Sequence, residues 1–142
     1  MNESRYGYHE FEHQVAVAET DVVSYKFSDL DADGKLRIPI VKDTLVLGVS
    51  HLVTKAFAGG VPALTIGDAV DADGFGAAAA FTLGTVGDFY SSQGGTPAFA
   101  AGKYFSDAGM IVLDHAAGLT AGEGKVLVTR LPLKGSWRTP DL

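Results

Sequence analysis

Cysteine is absent from this 142-residue chain. Its absence excludes a disulfide framework, an iron–sulfur cluster, a thiolate zinc site and a cysteine nucleophile. Basic residues are also few, since 11 Lys and Arg stand against 17 Asp and Glu, for a formal net charge of −6. A general nucleic-acid-binding protein needs a basic stripe to contact phosphates, so we expect no nucleic-acid partner.

Long apolar runs are missing as well. The longest one surrounds residues 77–81, which is far short of the roughly 18–20 residues that a membrane-spanning helix needs. Residues 1–13 are polar and aromatic and lack the apolar stretch of a secretory signal. We therefore expect a soluble protein without a membrane partner.

Glycine, in contrast, is abundant, with 18 residues in a chain that is otherwise of ordinary globular composition. Turn signals such as Asp33-Gly34, Gly59-Gly60 and Gly122-Glu123-Gly124 separate short apolar runs. The length fits one domain. The pattern predicts many short strands joined by glycine-rich turns.

Alternation of apolar and polar residues indicates strands that are buried on one side. The predicted strands cover residues 23–27, 36–40, 45–57, 63–66, 110–114 and 124–131, with a weaker one at Val15 and Val17. The predicted core consists of Tyr25, Phe27, Leu36, Ile38, Leu64, Ile66, Ile111, Leu113, Val126 and Val128. Pro39 predicts an edge strand or a bulge, because proline cannot donate to a ladder. Residues 76–81 are the one possible helical stretch.

These elements predict an all-β fold, an antiparallel β-sandwich of the jelly-roll kind. The predicted sandwich domain spans residues 13–131, between an N-terminal arm at residues 1–12 and a C-terminal arm at residues 132–142. Aromatic residues stand among polar neighbours in both arms, namely Tyr6, Tyr8, Phe11 and Trp137. They belong either to frayed termini or to anchors that enter a partner chain.

Two acidic clusters are candidate calcium ligands: Asp29, Asp31 and Asp33, and then Asp68, Asp71 and Asp73. The first opens like an EF-hand loop, but Ile40 occupies the twelfth position, where that loop needs a bidentate glutamate. Asp and Gly are also favoured in plain turns. The residues leave two readings open, structural turns or calcium held between the two clusters.

Catalytic motifs are missing. His9, His13, His51 and His115 form no H-E-x-x-H pattern, so a zinc site is disfavoured and we expect surface or interface histidines. Residues 118–125 look briefly like a phosphate-binding loop, but Val126 stands where Ser or Thr is needed, which favours a hairpin turn. A distant carboxylate pair for glycoside hydrolysis stays open. We predict that the chain is not an enzyme and binds no cofactor.

Several short motifs carry a resemblance to a known family. They lie at residues 35–39, 45–49, 54–60, 64–68, 71–75 and 119–126. Together they resemble tailed-phage capsid cement, or head decoration, proteins over residues 35–130. The resemblance implies a jelly roll on the outer surface of the capsid that clamps neighbouring major capsid protein subunits. It implies a homodimer or homotrimer and no catalytic residues.

The predicted function is therefore that of a virion structural protein that stabilises the phage head. Its expected partners are the major capsid protein and further copies of itself. Two alternatives stay open: a tail- or fibre-associated jelly roll or carbohydrate-binding module, and an enzyme on a cupin-like barrel. A cupin would need clustered His and Glu ligands, and the four histidines are scattered along the sequence.

Overall fold

The computed structural model describes residues 16–133, which form two facing antiparallel sheets. The strands are β1 (Glu19–Lys26), β2 (Lys35–Ile40), β3 (Thr44–Ala58), β4 (Leu64–Gly67), β5 (Phe89–Ser91), β6 (Lys103–Phe105), β7 (Gly109–His115) and β8 (Ala121–Pro132). Short 3-10 turns lie at Phe27–Asp29, Ala78–Ala80 and Ser92–Gly94. Within residues 16–133, no helix has the length and apolar character to cross a membrane.

The first sheet has the order β1-β8-β3-β5, and β6 also pairs with β3. The second sheet has the order β2-β7-β4. A single bridge from Ile66 to Gly76 continues the second sheet beyond β4. From β1 to β4 successive strands alternate between the sheets, and the first strand pairs with the last while the second pairs with the seventh. This is the wrapped double Greek key of a jelly roll, so the predicted fold is confirmed.

The core lies between the two sheets and is supplied by alternate residues of each strand. Eight of the ten predicted core residues are buried, all except Phe27 and Leu36. Leu36 is half-buried and packs against the core. Phe27 is also half-buried, because β1 ends at Lys26 and Phe27 begins a 3-10 turn that breaks the alternation. The prediction for Phe27 is therefore wrong.

The edges of the elements differ from the sequence prediction in three places. β1 begins at Glu19, so Val17 lies outside it and is 61% exposed, while Val15 lies outside the described residues. The alanines in residues 76–81 form only one 3-10 turn at Ala78–Ala80. The three-residue strands β5 and β6 were not predicted, because they are too short for alternation to register. Pro39 does lie on an edge strand, β2.

Both ends of the described chain leave the sandwich at the same side. Glu19 at the start of β1 pairs with Arg130 near the end of β8. The loop after β2, the residues that follow β4 and the connection from β6 to β7 lie at this side too, because Ile40 pairs with Gly109 and Thr44 with Phe105. We call it the arm end. The N-terminal arm and its boundary at residue 12, and the C-terminal arm beyond Leu133, fall outside residues 16–133, so the predicted domain division stays a prediction.

Candidate functional site

A tyrosine and two histidines form a polar cluster inside the sandwich. The Tyr25 hydroxyl oxygen lies 2.7 Å from Nε2 of His51 and 2.6 Å from Nε2 of His115. All three residues are buried, with exposed fractions of 3%, 0% and 2%. Tyr25 and His51 belong to the first sheet and His115 to the second. The Tyr25 hydroxyl therefore ties the two sheets together.

The cluster fixes the protonation of both imidazole rings. A hydroxyl has one proton to donate, so Tyr25 donates to one Nε2 and accepts a hydrogen bond from the other. The two neutral histidines are consequently opposite tautomers, one protonated on Nδ1 and one on Nε2. Within residues 16–133, neither Nδ1 atom has a hydrogen-bond partner.

Burial keeps the cluster neutral at pH 7. Desolvation lowers the pKa of His51 to about 4, although the charge of Asp88 acts in the opposite direction. Desolvation also lowers the pKa of His115 to about 4, with a further lowering by His51. Burial raises the pKa of Tyr25. No member of the cluster therefore carries charge near neutral pH.

Aromatic rings enclose the cluster. Phe57 stacks on His115 with ring centroids 4.9 Å apart, and Phe81 meets His51 edge-on at 5.9 Å. Gly124 lies beneath, where a Cβ atom would stand 2.9 Å from Nε2 of His51. Gly122 has φ +134, and a Cβ there would stand 2.1 Å from the Phe57 ring. These two glycines therefore make room for the rings.

The cluster is enclosed, since each of its three polar side chains is at most 3% exposed. It also does not fit a metal ion, because metal-ligating histidines pass their other ring nitrogen to an acceptor and both Nδ1 atoms lack one. Among residues 16–133, no group of three His, Asp or Glu side chains is arranged to hold a metal. The arrangement serves to join the sheets.

The expectation of surface or interface positions is wrong for His51 and His115. A usable signal was present in the alternation: His51 is in phase with the buried Val49 and Val53, and His115 with the buried Leu113. Periodicity thus predicts burial even for a polar side chain. It does not reveal the partner, since Tyr25 lies 26 residues from one histidine and 90 from the other.

The first acidic cluster supports the turn between β1 and β2. The Asp29 carboxylate accepts a hydrogen bond from the backbone N–H of Lys26 at 2.9 Å. Asp31 Oδ1 accepts the N–H groups of Asp33 and Lys35 at 2.9 and 3.0 Å, and its other oxygen pairs with the Arg37 guanidinium. Two of these carboxylates thus form local turn hydrogen bonds.

The second acidic cluster has a similar arrangement after β4. Asp68 Oδ1 accepts the N–H groups of Val70 at 3.0 Å and Asp71 at 2.8 Å. Lys103 on β6 of the other sheet lies 3.4 Å from Oδ2 of Asp68. Burial acts to raise the pKa of Asp68, but these hydrogen bonds and the Lys103 charge outweigh it and lower the pKa below its usual value. Asp73 contributes its carbonyl oxygen to the turn.

We expect that both acidic turns keep their structure without calcium. The hydrogen bonds of Asp31 and Asp68 already compensate these carboxylates. Melting temperatures measured in EDTA and in millimolar calcium should therefore agree. An ion that binds the native state alone stabilises it by mass action, so a melting temperature that EDTA lowers by several degrees and calcium restores would establish the calcium reading instead.

An open groove lies at the arm end. It has a volume of about 290 Å³ and includes Val70, Tyr104, Asp107 and Met110 in its lining. We call it the arm-end groove. Val70 is 89% exposed, Tyr104 48% and Met110 46%. No sequence pattern predicts this groove, because its residues come from two segments that are far apart in the sequence, 68–70 and 103–110.

The predicted contact residues Tyr6, Tyr8, Phe11 and Trp137 lie outside the described residues, as do His9 and His13. The structure does define where their segments begin. Residues 1–15 precede Ala16, which lies shortly before β1, and residues 134–142 follow Leu133, which comes directly after the neighbouring β8.

Comparison with known proteins adds one finding. No protein-family model matches the chain, and no curated protein matches it. A chain of the solved structure described as the cyanophage Pam1 capsid asymmetric unit has the same fold. The match has a TM-score of 0.61 at 16% sequence identity and covers 92% of this chain and 96% of that one. It extends over nearly the whole length of both chains, so the fold likeness is not confined to a fragment.

Proposed function

We propose that this protein is a structural component of a phage virion that binds the outer surface of the head. In this role it cements neighbouring major capsid protein subunits and stabilises the shell. It performs no reaction and needs no cofactor. The observation that carries the proposal is the fold match to a chain of a phage capsid structure over 96% of that chain. The short motifs that resemble phage cement proteins support it independently.

The architecture suits a rigid clamp. Sixteen hydrophobic and polar residues are less than 4% exposed, among them Tyr25, whose hydroxyl ties the sheets. Such a body has little internal freedom to lose on binding, which keeps the entropic cost of association low. The contact itself is assigned to the N-terminal arm, since aromatic residues such as those it contains bury large areas.

Both arms begin at the arm end, because β1 and β8 are antiparallel neighbours. Both segments are therefore attached at the same end of the sandwich, and we assign that end to the contact with the head. We assign the lattice contact to the N-terminal arm, with Tyr6, Tyr8 and Phe11 as its anchors. A homodimer or homotrimer would bind more tightly than a single copy, since linked sites gain effective concentration.

Two measurements test the role. Mass spectrometry of purified virions should find this chain in a number comparable to that of the capsid subunits. Separated heads and tails should show it in the head fraction. Its presence only with tails or fibres would support the tail- or fibre-associated alternative, and its absence from virions would remove the structural role altogether.

Removal of the three N-terminal aromatic side chains should weaken binding to heads that lack the protein. Anchoring aromatic residues typically contribute more than about 1 kcal/mol each, so the Tyr6→Ala, Tyr8→Ala and Phe11→Ala triple variant should bind at least about tenfold more weakly. Deletion of residues 1–12 should abolish the same contact. Occupancy of purified heads, measured by co-sedimentation, gives the affinity.

A matched control changes polar residues of the same arm, with Glu3→Ala and Ser4→Ala. This control should bind like the unmodified chain, because the arm keeps its length and its aromatic anchors. Equal binding by the triple variant would show that the N-terminal arm is not the clamp. Failure of the unmodified chain to bind any head would contradict the capsid role itself.

A further inference from the structure

The arm-end groove exposes apolar side chains that the sandwich leaves uncovered. Tyr104 lies on β6 of the first sheet, Met110 on β7 of the second, and Val70 in the turn after β4. The groove therefore crosses the seam between the sheets, beside the ion pair of Lys103 and Asp68. Contiguous apolar surface with a polar rim typically marks a binding site.

The described chain ends beside this groove. The Leu133 backbone N–H donates to the Asp43 carbonyl oxygen at 2.9 Å, and the Asp43 carboxylate accepts the Tyr104 hydroxyl at 2.8 Å. β8, β3 and β6 are successive neighbours, so with a spacing of about 4.8 Å the exit on β8 lies about 10 Å from β6. Residues 134–142 thus begin within reach of the groove.

Trp137 is the side chain that this reach brings to the groove. Three residues, Lys134, Gly135 and Ser136, separate it from Leu133. Four extended steps span about 13 Å, which exceeds the distance to β6. Residues 134–137 are therefore long enough to cross β3.

We propose that Trp137 docks into the arm-end groove of its own chain, with residues 134–136 as the tether. An indole is a large, mainly apolar group that suits a groove lined by Val70 and Met110, and a methionine sulfur makes favourable contacts with an aromatic ring. The flanking cations Lys134 and Arg138 match the acidic rim at Asp107.

The chain's own segment is favoured over a second copy by effective concentration. A short flexible tether that spans its site holds the ligand at roughly millimolar local concentration, well above the micromolar concentration of a second copy in a dilute sample. This assignment gives Trp137 an intramolecular partner in place of the lattice contact expected from the sequence. The lattice contact of the N-terminal arm is unaffected, so the two proposals fail independently.

Trp137 is the only tryptophan in the chain, so intrinsic fluorescence reports its environment directly. We expect emission at shorter wavelength than in the denatured chain and slow quenching by acrylamide, both independent of protein concentration. Val70→Asp and Met110→Asp place a charge in the groove at exposed positions. Each should shift the emission to longer wavelength and at least double the quenching constant.

The matched control is Val86→Asp. Val86 is also an exposed valine, at 62%, but it lies outside the groove lining. It should leave the emission unchanged. The proposal would be overturned if the unmodified chain emitted at the same wavelength as the denatured chain. It would also be overturned if the groove variants and the control variant emitted at the same wavelength. Quenching that falls as protein concentration rises, together with dimers in sedimentation, would assign the groove to a second copy and overturn it too.

A second measurement does not depend on the groove variants folding. The chain contains two methionines, Met1 and Met110, so the methyl resonance of Met110 is readily identified by NMR. An indole ring in the groove shifts this resonance, and Trp137→Leu should move it while the rest of the spectrum stays in place. An unchanged Met110 resonance in Trp137→Leu would contradict docking.

Discussion

Acidification from pH 7 to pH 4 is expected to cost the protein on the order of several kcal/mol of folding stability, through two buried histidines. His51 and His115 are enclosed between the sheets, and burial lowers the pKa of each to about 4. In the unfolded chain both have the ordinary value near 6.5. The folded protein therefore binds these protons only at a much lower pH than the unfolded chain does.

The direction of the effect follows from proton binding. Between pH 6.5 and pH 4 the unfolded chain binds protons that the native state does not, so the free energy of unfolding falls as the pH is lowered. Each histidine contributes a slope of about 1.4 kcal/mol per pH unit in that window. Above pH 7 the contribution is constant. A typical domain has only about 5–15 kcal/mol in total, so the loss brings it close to unfolding.

Urea unfolding at pH 8, 7, 6, 5 and 4 measures the slope. His115→Gln removes one of the two titrating groups and should roughly halve the slope between pH 6 and pH 5, even though it lowers stability at every pH. A free energy of unfolding that stays constant from pH 7 to pH 5 in the unmodified protein would contradict the buried neutral pair. NMR titration of the histidine ring protons gives the same pKa values without any variant.

His51 and His115 also show which part of the core could not be predicted from the sequence. Alternation predicted the long strands, and eight of ten core residues followed from it. The same alternation predicts that His51 and His115 are buried, whereas their polarity favours the surface. Both are buried, so alternation is the better predictor at these positions. A buried polar side chain requires a partner, and Tyr25 became visible as that partner only after the sheets were assembled.

The turn predicted from Gly122 and Gly124 is wrong for a related reason. The sequence predicts a turn at Gly122-Glu123-Gly124 that leads into a strand from residue 124, yet both glycines lie inside β8, which begins at Ala121. Their small size lets Phe57, Tyr25 and His51 pack against the backbone. A glycine that makes room for a ring and a glycine that bends the chain look identical in a sequence. The distinction depends on long-range packing, as does the arm-end groove.

Phe75→Ala is expected to lower the free energy of unfolding by about 3–5 kcal/mol, as for other fully buried phenylalanines. Phe75 is 0% exposed and is the largest fully buried side chain of residues 16–133. Its ring meets Phe99 edge-on with centroids 5.1 Å apart. The loss combines the transfer of the ring to water with a cavity that its neighbours cannot fill.

Phe89→Ala provides the matched control, since the same substitution there removes a side chain that is 57% exposed and should cost about 0.5 kcal/mol. Urea unfolding compares the stabilities of the two variants. If Phe75→Ala does not fold, Phe75→Leu takes its place, because it keeps most of the side-chain volume and should cost about 1.5 kcal/mol or less. Equal losses for Phe75→Ala and Phe89→Ala would contradict the burial. Because Phe75 precedes Gly76, which bridges to Ile66, a large loss at Phe75 would show that the segment beyond β4 contributes to the core between the sheets.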